Sequence, residues 1–256
     1  MKKSIFPFFL AGLLTLSCSS QQEKTTATDT DIDTLSQVLN GDSTLYGLAC
    51  DGSNDTIVVF LPIDNIAADP DTLNILNASR RHHVFGKLKT GDRIAVVRSA
   101  TDSTAADYVI SIDNLKATWC YKVLPTLHVR ADMAGHSEKQ ILSNLPDSVR
   151  ELLNIPHEYS IQLKGDHTVT AIGNHHKNRE ETDQLVDYPL PKRYGQWQLF
   201  NGKLLLTEVG MDSVGNTFAV STDTAEFVLM DRDTLVLRFN DGVKNYYPRR
   251  NTNMQE

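Results

Sequence analysis

The feature that most limits the fold of this 256-residue chain is a series of short alternating runs in its second half, each pair joined by a tight turn. GQWQLF and KLLLTEV meet at Asn201-Gly202. Asn-Gly is the strongest short hairpin signal, because both residues tolerate the positive φ that a two-residue turn of the right twist demands. EYSIQL and HTVTAIG meet at Gly165-Asp166, AEFVLM and DTLVLRF at Asp231-Arg232, and VKNYYPRR follows Asp241-Gly242. Side chains alternate across a strand, so one face of these runs carries Tyr159, Ile161, Trp197, Leu199, Leu204, Leu206, Phe227, Leu229, Leu235, Leu237 and Phe239. The opposite face carries Gln196, Gln198, Glu226 and Arg238. One apolar and one polar face, repeated hairpin by hairpin, predicts an antiparallel sheet closed into a barrel.

The run ATWCYKV (117–123) opens this block, with Trp119, Tyr121 and Val123 on one face. Two short helices near 138–154 follow, from the capping-box spacings Ser137/Gln140 and Ser148/Glu151, with Pro146 between them. The first block, 44–112, is strand-rich as well. TIVVFLPI (56–63), DRIAVVRS (92–99) and DYVISID (107–113) are β-branched runs bounded by turn residues. The expected fold class is therefore mainly β: two antiparallel barrel or sandwich-like domains, 44–112 and 113–250, the second with a short helical insertion. GKLKTGDRIAVV gives the first block a likeness to an OB barrel, but no face there is both basic and aromatic, as oligonucleotide binding would need.

Trp119 on a first strand, the helical insertion, the meander WQLFNGKLLLT and the late hairpin DRDTLVLRFNDGVKNYY (231–247) together resemble the lipocalin-like domains of bacterial lipoproteins. The resemblance covers about 113–250, and Ala117 stands where that family has a glycine. It implies a fold and leaves the function open. An eight-stranded barrel is near the size at which the interior either fills with side chains or holds one small molecule. The candidate pocket residues are Trp119, Tyr121, Tyr159, Trp197, Phe227 and Phe239.

The N-terminus carries the clearest targeting signal. Lys2 and Lys3 precede a mostly apolar run, Ile5–Leu16, too short to cross a bilayer as a helix, and Ser17-Cys18 follows it. The stretch resembles a lipoprotein signal peptide (1–17), with Thr15 where the family usually has Leu. The resemblance implies cleavage before Cys18 and acylation of that cysteine, palmitate-like chains anchoring the protein to the membrane. An ordinary cleaved signal with an incidental cysteine is the alternative. Ser19, where an aspartate would favour the inner membrane, implies the outer membrane, with the face open. Residues 18–43, polar and without aromatics up to Asn40, read as a flexible tether. The formal charge is −7, and losing Lys2 and Lys3 with the signal leaves −9. So acidic a chain has no footprint for nucleic acid and is repelled by anionic headgroups.

No nucleophile elbow, zinc-binding H-E-x-x-H helix or glycine-rich phosphate cradle occurs, so no catalytic residue, metal or cofactor is expected. The pairs His82-His83 and His175-His176 cannot chelate alone, since adjacent side chains diverge; a site from His167, His175 and His176 on one hairpin is the minor alternative. Glu180, Glu181 and Asp183 read as a solvated acidic loop. Cys50 and Cys120 could form a disulfide in an oxidising compartment, or stay as thiols. Asp-(Ser/Thr)-X recurs with Thr34, Ser43, Thr56, Thr72, Ser103, Ser148, Ser213, Thr224 and Thr234 in the middle position. The pattern looks like a bacterial O-glycosylation acceptor, with Thr34 and Ser43 the first candidates; turn and cap formation explains the same dipeptides. The functional expectation is a non-catalytic envelope lipoprotein offering β-rich surfaces to a protein or glycan partner. The alternative is a carrier of a small apolar ligand inside the 113–250 barrel.

Overall fold

The computed structural model describes residues 39–127, 135–172 and 186–249. The signal segment, Cys18, Thr34, His175, His176 and the acidic residues Glu180, Glu181 and Asp183 lie outside the described residues.

The chain is mainly β. Its first sheet is built from β1 (Thr44–Ala49), β2 (Ile57–Pro62), β3 (Asp71–Asn74), β4 (Val84–Phe85), β5 (Arg93–Arg98) and β6 (Ala106–Ser111), with helix α1 (Leu76–Arg80) between β3 and β4 and α2 (Ile112–Leu115) closing the block. The strand order is β3-β2-β1-β5-β6-β4, antiparallel except for the edge pair β4–β6. RIAVVR does not alternate because β5 is covered on both sides. Ile94 and Val96 join Val58, Phe60 and Val109 in the sheet's own core, whereas Ala95 turns with Ile110 toward the second sheet.

The second sheet holds β7 (Thr118–Val123), β9 (His157–Leu163), β10 (Val169–Ile172), β12 (Tyr194–Phe200), β13 (Lys203–Met211), β14 (Thr217–Asp231), β15 (Thr234–Phe239) and β16 (Gly242–Pro248). The order β10-β9-β7-β16-β15-β14-β13-β12 is antiparallel throughout. The two edges meet at a Thr168–Gln196 bridge, where the Trp197 N–H donates to the His167 carbonyl at 2.9 Å. The result is a nearly closed eight-stranded barrel. A two-residue ribbon, β8 (Thr126–Leu127) with β11 (Val186–Asp187), and helices α3 (Glu138–Asn144) and α4 (Asp147–Leu152) complete the described elements.

Ser137 and Gln140 form the expected capping box on α3. The second one is not made: α4 starts at Asp147 behind Pro146, and Ser148 lies inside the helix rather than capping it. Leu229 also departs from expectation. A β-bulge between Phe227 and Leu229 adds one residue, so Met230 takes the inward position and Leu229 stands 49% exposed. The other ten expected inward residues are buried.

The two sheets share one core at one end of the barrel. Phe85, Ala95, Ile110, Ile112 and Leu115 pack with Trp119, Trp197 and Leu199, and the rings of Phe85 and Phe227 lie 5.1 Å apart. At the rim of this end, Asn201 (φ 48°) and Gly202 (φ 81°) make the sharp hairpin turn read from the sequence. The Asn201 side chain clasps the start of the first block. Its Oδ1 accepts from the Ser43 N–H (2.9 Å) and Oγ (2.6 Å), and its Nδ2 donates to the Gly41 carbonyl (2.9 Å). The last residues of the expected tether are thus held against the barrel.

Candidate functional site

The six aromatic residues expected around a pocket divide between two places. Trp119, Trp197, Phe227 and Phe239 are buried in the packed core. Each indole nitrogen is satisfied by a carbonyl at 2.9 Å, Trp119 by Leu115 and Trp197 by Lys164. Tyr121, further along β7 than Trp119, and Tyr159, on β9, line a cavity of about 830 Å³ at the opposite, open end of the barrel.

Four barrel strands and one loop build that cavity. Tyr121 and Val123 come from β7, Tyr159 and Ile161 from β9, Tyr194 from β12, Val243, Lys244 and Tyr246 from β16, and Pro189, Leu190, Pro191 and Lys192 from the segment before β12. A continuous series of rings leads into the cavity: Tyr188, His157, Tyr159, Tyr121 and Tyr246 follow one another at centroid separations of 5.3, 4.7, 5.8 and 5.2 Å, and the last three line it. Leu190, 71% exposed, hangs at the entrance. The volume falls within the range of small-molecule sites, as does a mostly apolar lining with a few placed polar groups.

Most of the polar groups at the rim are paired, and Lys122 stands exposed with no ion pair among the described residues. Lys192 Nζ bonds both oxygens of Asp223 at 2.8 and 2.6 Å, the Tyr194 hydroxyl donates to the same carboxylate, and Lys244 Nζ reaches Asp241 at 3.1 Å. Burial pushes the Asp223 carboxyl up, but the hydrogen bonds from Lys192 and Tyr194 outweigh it and hold the group below its ordinary value. Burial also pushes the Tyr121 hydroxyl up to about 12, and raises those of Tyr246 and Tyr194. The wall of the cavity therefore keeps its phenols protonated, as hydrogen-bond donors.

Sequence reading missed Tyr194, Tyr246 and the rim. Tyr194 is three residues before Trp197, so strict alternation places it outside; a bulge between Tyr194 and Gln196 turns it in. Tyr246 and Lys244 share the inward face of KNYY, a signal present in the late hairpin and readable once its turn is fixed. Nothing local announces the Pro189–Pro191 segment.

Cys50 and Cys120 are free thiols, so the disulfide considered between them is not formed. Each is engaged within its own sheet: Cys50 Sγ turns back toward the Leu48 carbonyl (3.9 Å), and Cys120 is buried in the wall of the barrel beside Glu158. Burial, reinforced by the Glu158 charge, raises the Cys120 thiol. Among the described residues no group of His, Cys, Asp and Glu could hold a metal ion. His167 instead lies stacked on Trp197 at 4.6 Å, and His83 on Tyr108 at 4.4 Å. Of the Asp-(Ser/Thr) sites, Ser43 is exposed with its hydroxyl committed to Asn201, and Thr56, Thr72, Ser103, Ser148, Ser213 and Thr224 are exposed. No helix among the described residues is long and apolar enough to cross a membrane.

The chain matches no known family model, no curated protein and no solved structure. The geometry of the site stands on its own: a small antiparallel barrel, filled at one end and hollow at the other.

Proposed function

We propose that this chain is a non-catalytic, lipid-anchored protein of the bacterial envelope whose barrel binds a small, largely apolar ligand at its open end. The observation that carries the reading is the cavity of about 830 Å³ walled by Tyr121, Tyr159, Tyr194 and Tyr246. Anchoring rests on the sequence around Cys18, and placement in the outer membrane on Ser19. Native mass spectrometry of the protein extracted from its own envelope tests the ligand. The expected result is a small-molecule adduct that Val123→Trp, which fills the cavity, abolishes. A ligand-free wild-type spectrum from gently extracted protein counts against the reading. The anchor is tested separately, by Cys18→Ala, which should leave the chain unacylated and unprocessed.

A second reading, docking of a protein partner, is favoured by one feature. Beyond Glu208, β13 and β14 run on as a two-stranded ribbon with Met211 70% and Phe218 53% exposed. Crosslinking in the native envelope through a probe at Phe218 distinguishes it from a carrier that acts alone.

A further inference from the structure

The composition of the cavity wall narrows the ligand beyond "small and apolar". Two of its three lysines are matched, Lys192 by Asp223 and Lys244 by Asp241, and the third, Lys122, is exposed to solvent at the edge. These half-exposed pairs are cheap to disturb, but a charged ligand group that moved past them to the apolar interior would give up its hydration with no unpaired counter-charge to meet it there. The hydroxyls of Tyr121 and Tyr246, in contrast, bond no other described group. Both belong to rings that line the cavity, and no described buried side-chain oxygen or nitrogen lacks a partner, so these hydroxyls are open to the cavity rather than sealed off. They are donors awaiting an acceptor. The rings of Tyr159, Tyr121 and Tyr246 form a continuous aromatic wall in a cavity that Pro189, Leu190 and Pro191 also line. Aromatic pairs gain beyond their buried area when offset or edge-on, which favours a planar ring over an alkyl chain of equal size.

Resting on the reading of the open end as a ligand site, the geometry points to an uncharged aromatic compound carrying a carbonyl or similar acceptor oxygen, its ring against Tyr159, Tyr121 and Tyr246 and its oxygen held by the phenol groups of Tyr121 and Tyr246.

Three fluorescent probes separate the parts of this statement: N-phenyl-1-naphthylamine (neutral), its sulfonated counterpart anilinonaphthalene sulfonate, and prodan, a neutral naphthyl ketone. On the full chain the neutral amine should bind at least about ten-fold more tightly than the sulfonate. Bound prodan should show the red-shifted emission of a hydrogen-bonded ketone. Two neutral hydrogen bonds together, at roughly 0.5–1.5 kcal/mol each, are worth about thirty-fold at the middle of that range. Tyr121→Phe/Tyr246→Phe should therefore weaken prodan by about that factor and leave the neutral amine within about two-fold. Acetylnaphthalene should displace prodan at lower concentration than an alkyl ketone of equal carbon number. Equal binding of sulfonate and amine overturns the absence of charge. Unchanged prodan affinity in the double variant, or blue-shifted bound prodan in the unaltered protein should the variant not fold, overturns the phenol donors. A better alkyl competitor overturns the aromatic body. Binding of neither neutral probe removes the cavity reading itself, and this inference with it.

Discussion

The two ends of the barrel are made from the same strands and are finished differently. At the closed end Trp119, Trp197, Leu199 and Leu204 are fully buried against the first sheet, and both indole N–H groups have carbonyl partners. Two or three residues further along β7 and β12, Tyr121 and Tyr194 face a void beside Tyr159 of β9, and no sheet among the described residues stands behind it. The contrast is one of support. A barrel of this size has interior for about one layer of large side chains or one small molecule, and the first sheet decides which end receives which. By plugging one end with Phe85, Ile110 and Leu115, it gives the structure a core and leaves the other end free to be shaped by chemistry other than packing.

The contrast breaks first, if it breaks, at Trp119. Truncating a large buried aromatic removes its transfer free energy and leaves a cavity, together about 3–5 kcal/mol. Trp119→Ala should lower unfolding free energy by that amount in urea titration, and Tyr121→Ala by clearly less. Equal losses would mean that the open end is packed as well as the closed one.

Next in size is the clasp at Asn201. Its side chain bonds Ser43 and Gly41, and its backbone occupies the left-handed region. Asn201→Ala loses the hydrogen bonds and strains the turn, an expected cost of about 1–3 kcal/mol. Asn201→Gly removes the bonds but not the conformation, so it should recover part of that loss. Limited proteolysis should find the chain before Thr44 newly cleavable in both variants. Protection there equal to the unaltered protein would show that the sheets hold together without the clasp.

These contacts also mark how far the sequence could be read. Hairpins were legible because Asn201-Gly202 and strict alternation are local properties, and ten inward side chains followed from them. What alternation cannot carry is a bulge. One extra residue at Val228 and one at Gly195 invert the sides of Leu229 and Tyr194, and the second inversion hides part of the site. The bond from Asn201 to Ser43 spans 158 positions, and no local pattern anticipates a contact so distant. The candidate pocket residues are the aromatics that alternation turns inward. Four of the six fill the core because that is where large rings bury most area; Tyr121 and Tyr159 reach the cavity by lying nearer the open end of their strands.

A pH experiment sharpens the contrast from the closed side. His167 stacks on Trp197, and burial lowers its pKa from 6.5, with the Trp197 carbonyl partly opposing. The unfolded chain therefore binds a proton at this residue more readily than the folded one. Stability through this group rises with pH across the window just below the unfolded value and is lost on acidification. His167→Gln should flatten the slope of unfolding free energy against pH between about pH 5 and 7, relative to the unaltered protein. An unchanged slope would mean that water reaches the ring and the closed end is less sealed than its burial indicates.

The smallest effect belongs to the rim of the open end. The Asp223 carboxyl is held below its ordinary value, so its contribution is complete above the unfolded carboxylate range and is lost only as pH falls through the folded value. At neutral pH Asp223→Asn removes that contribution, while the amide oxygen can still accept from the Tyr194 hydroxyl. The partner Lys192 has a side chain 51% exposed, and water and salt screen such a pair, so the expected cost is under about 1 kcal/mol and shrinks further in high salt. The Lys192→Gln variant should cost a similar amount, and the double variant little more than either alone, because both remove one shared interaction. If Asp223→Asn instead cost more than about 2 kcal/mol, the rim would be a structural element on a par with Trp119. The open end would then be braced by its ions, rather than left loose enough for a ligand to enter.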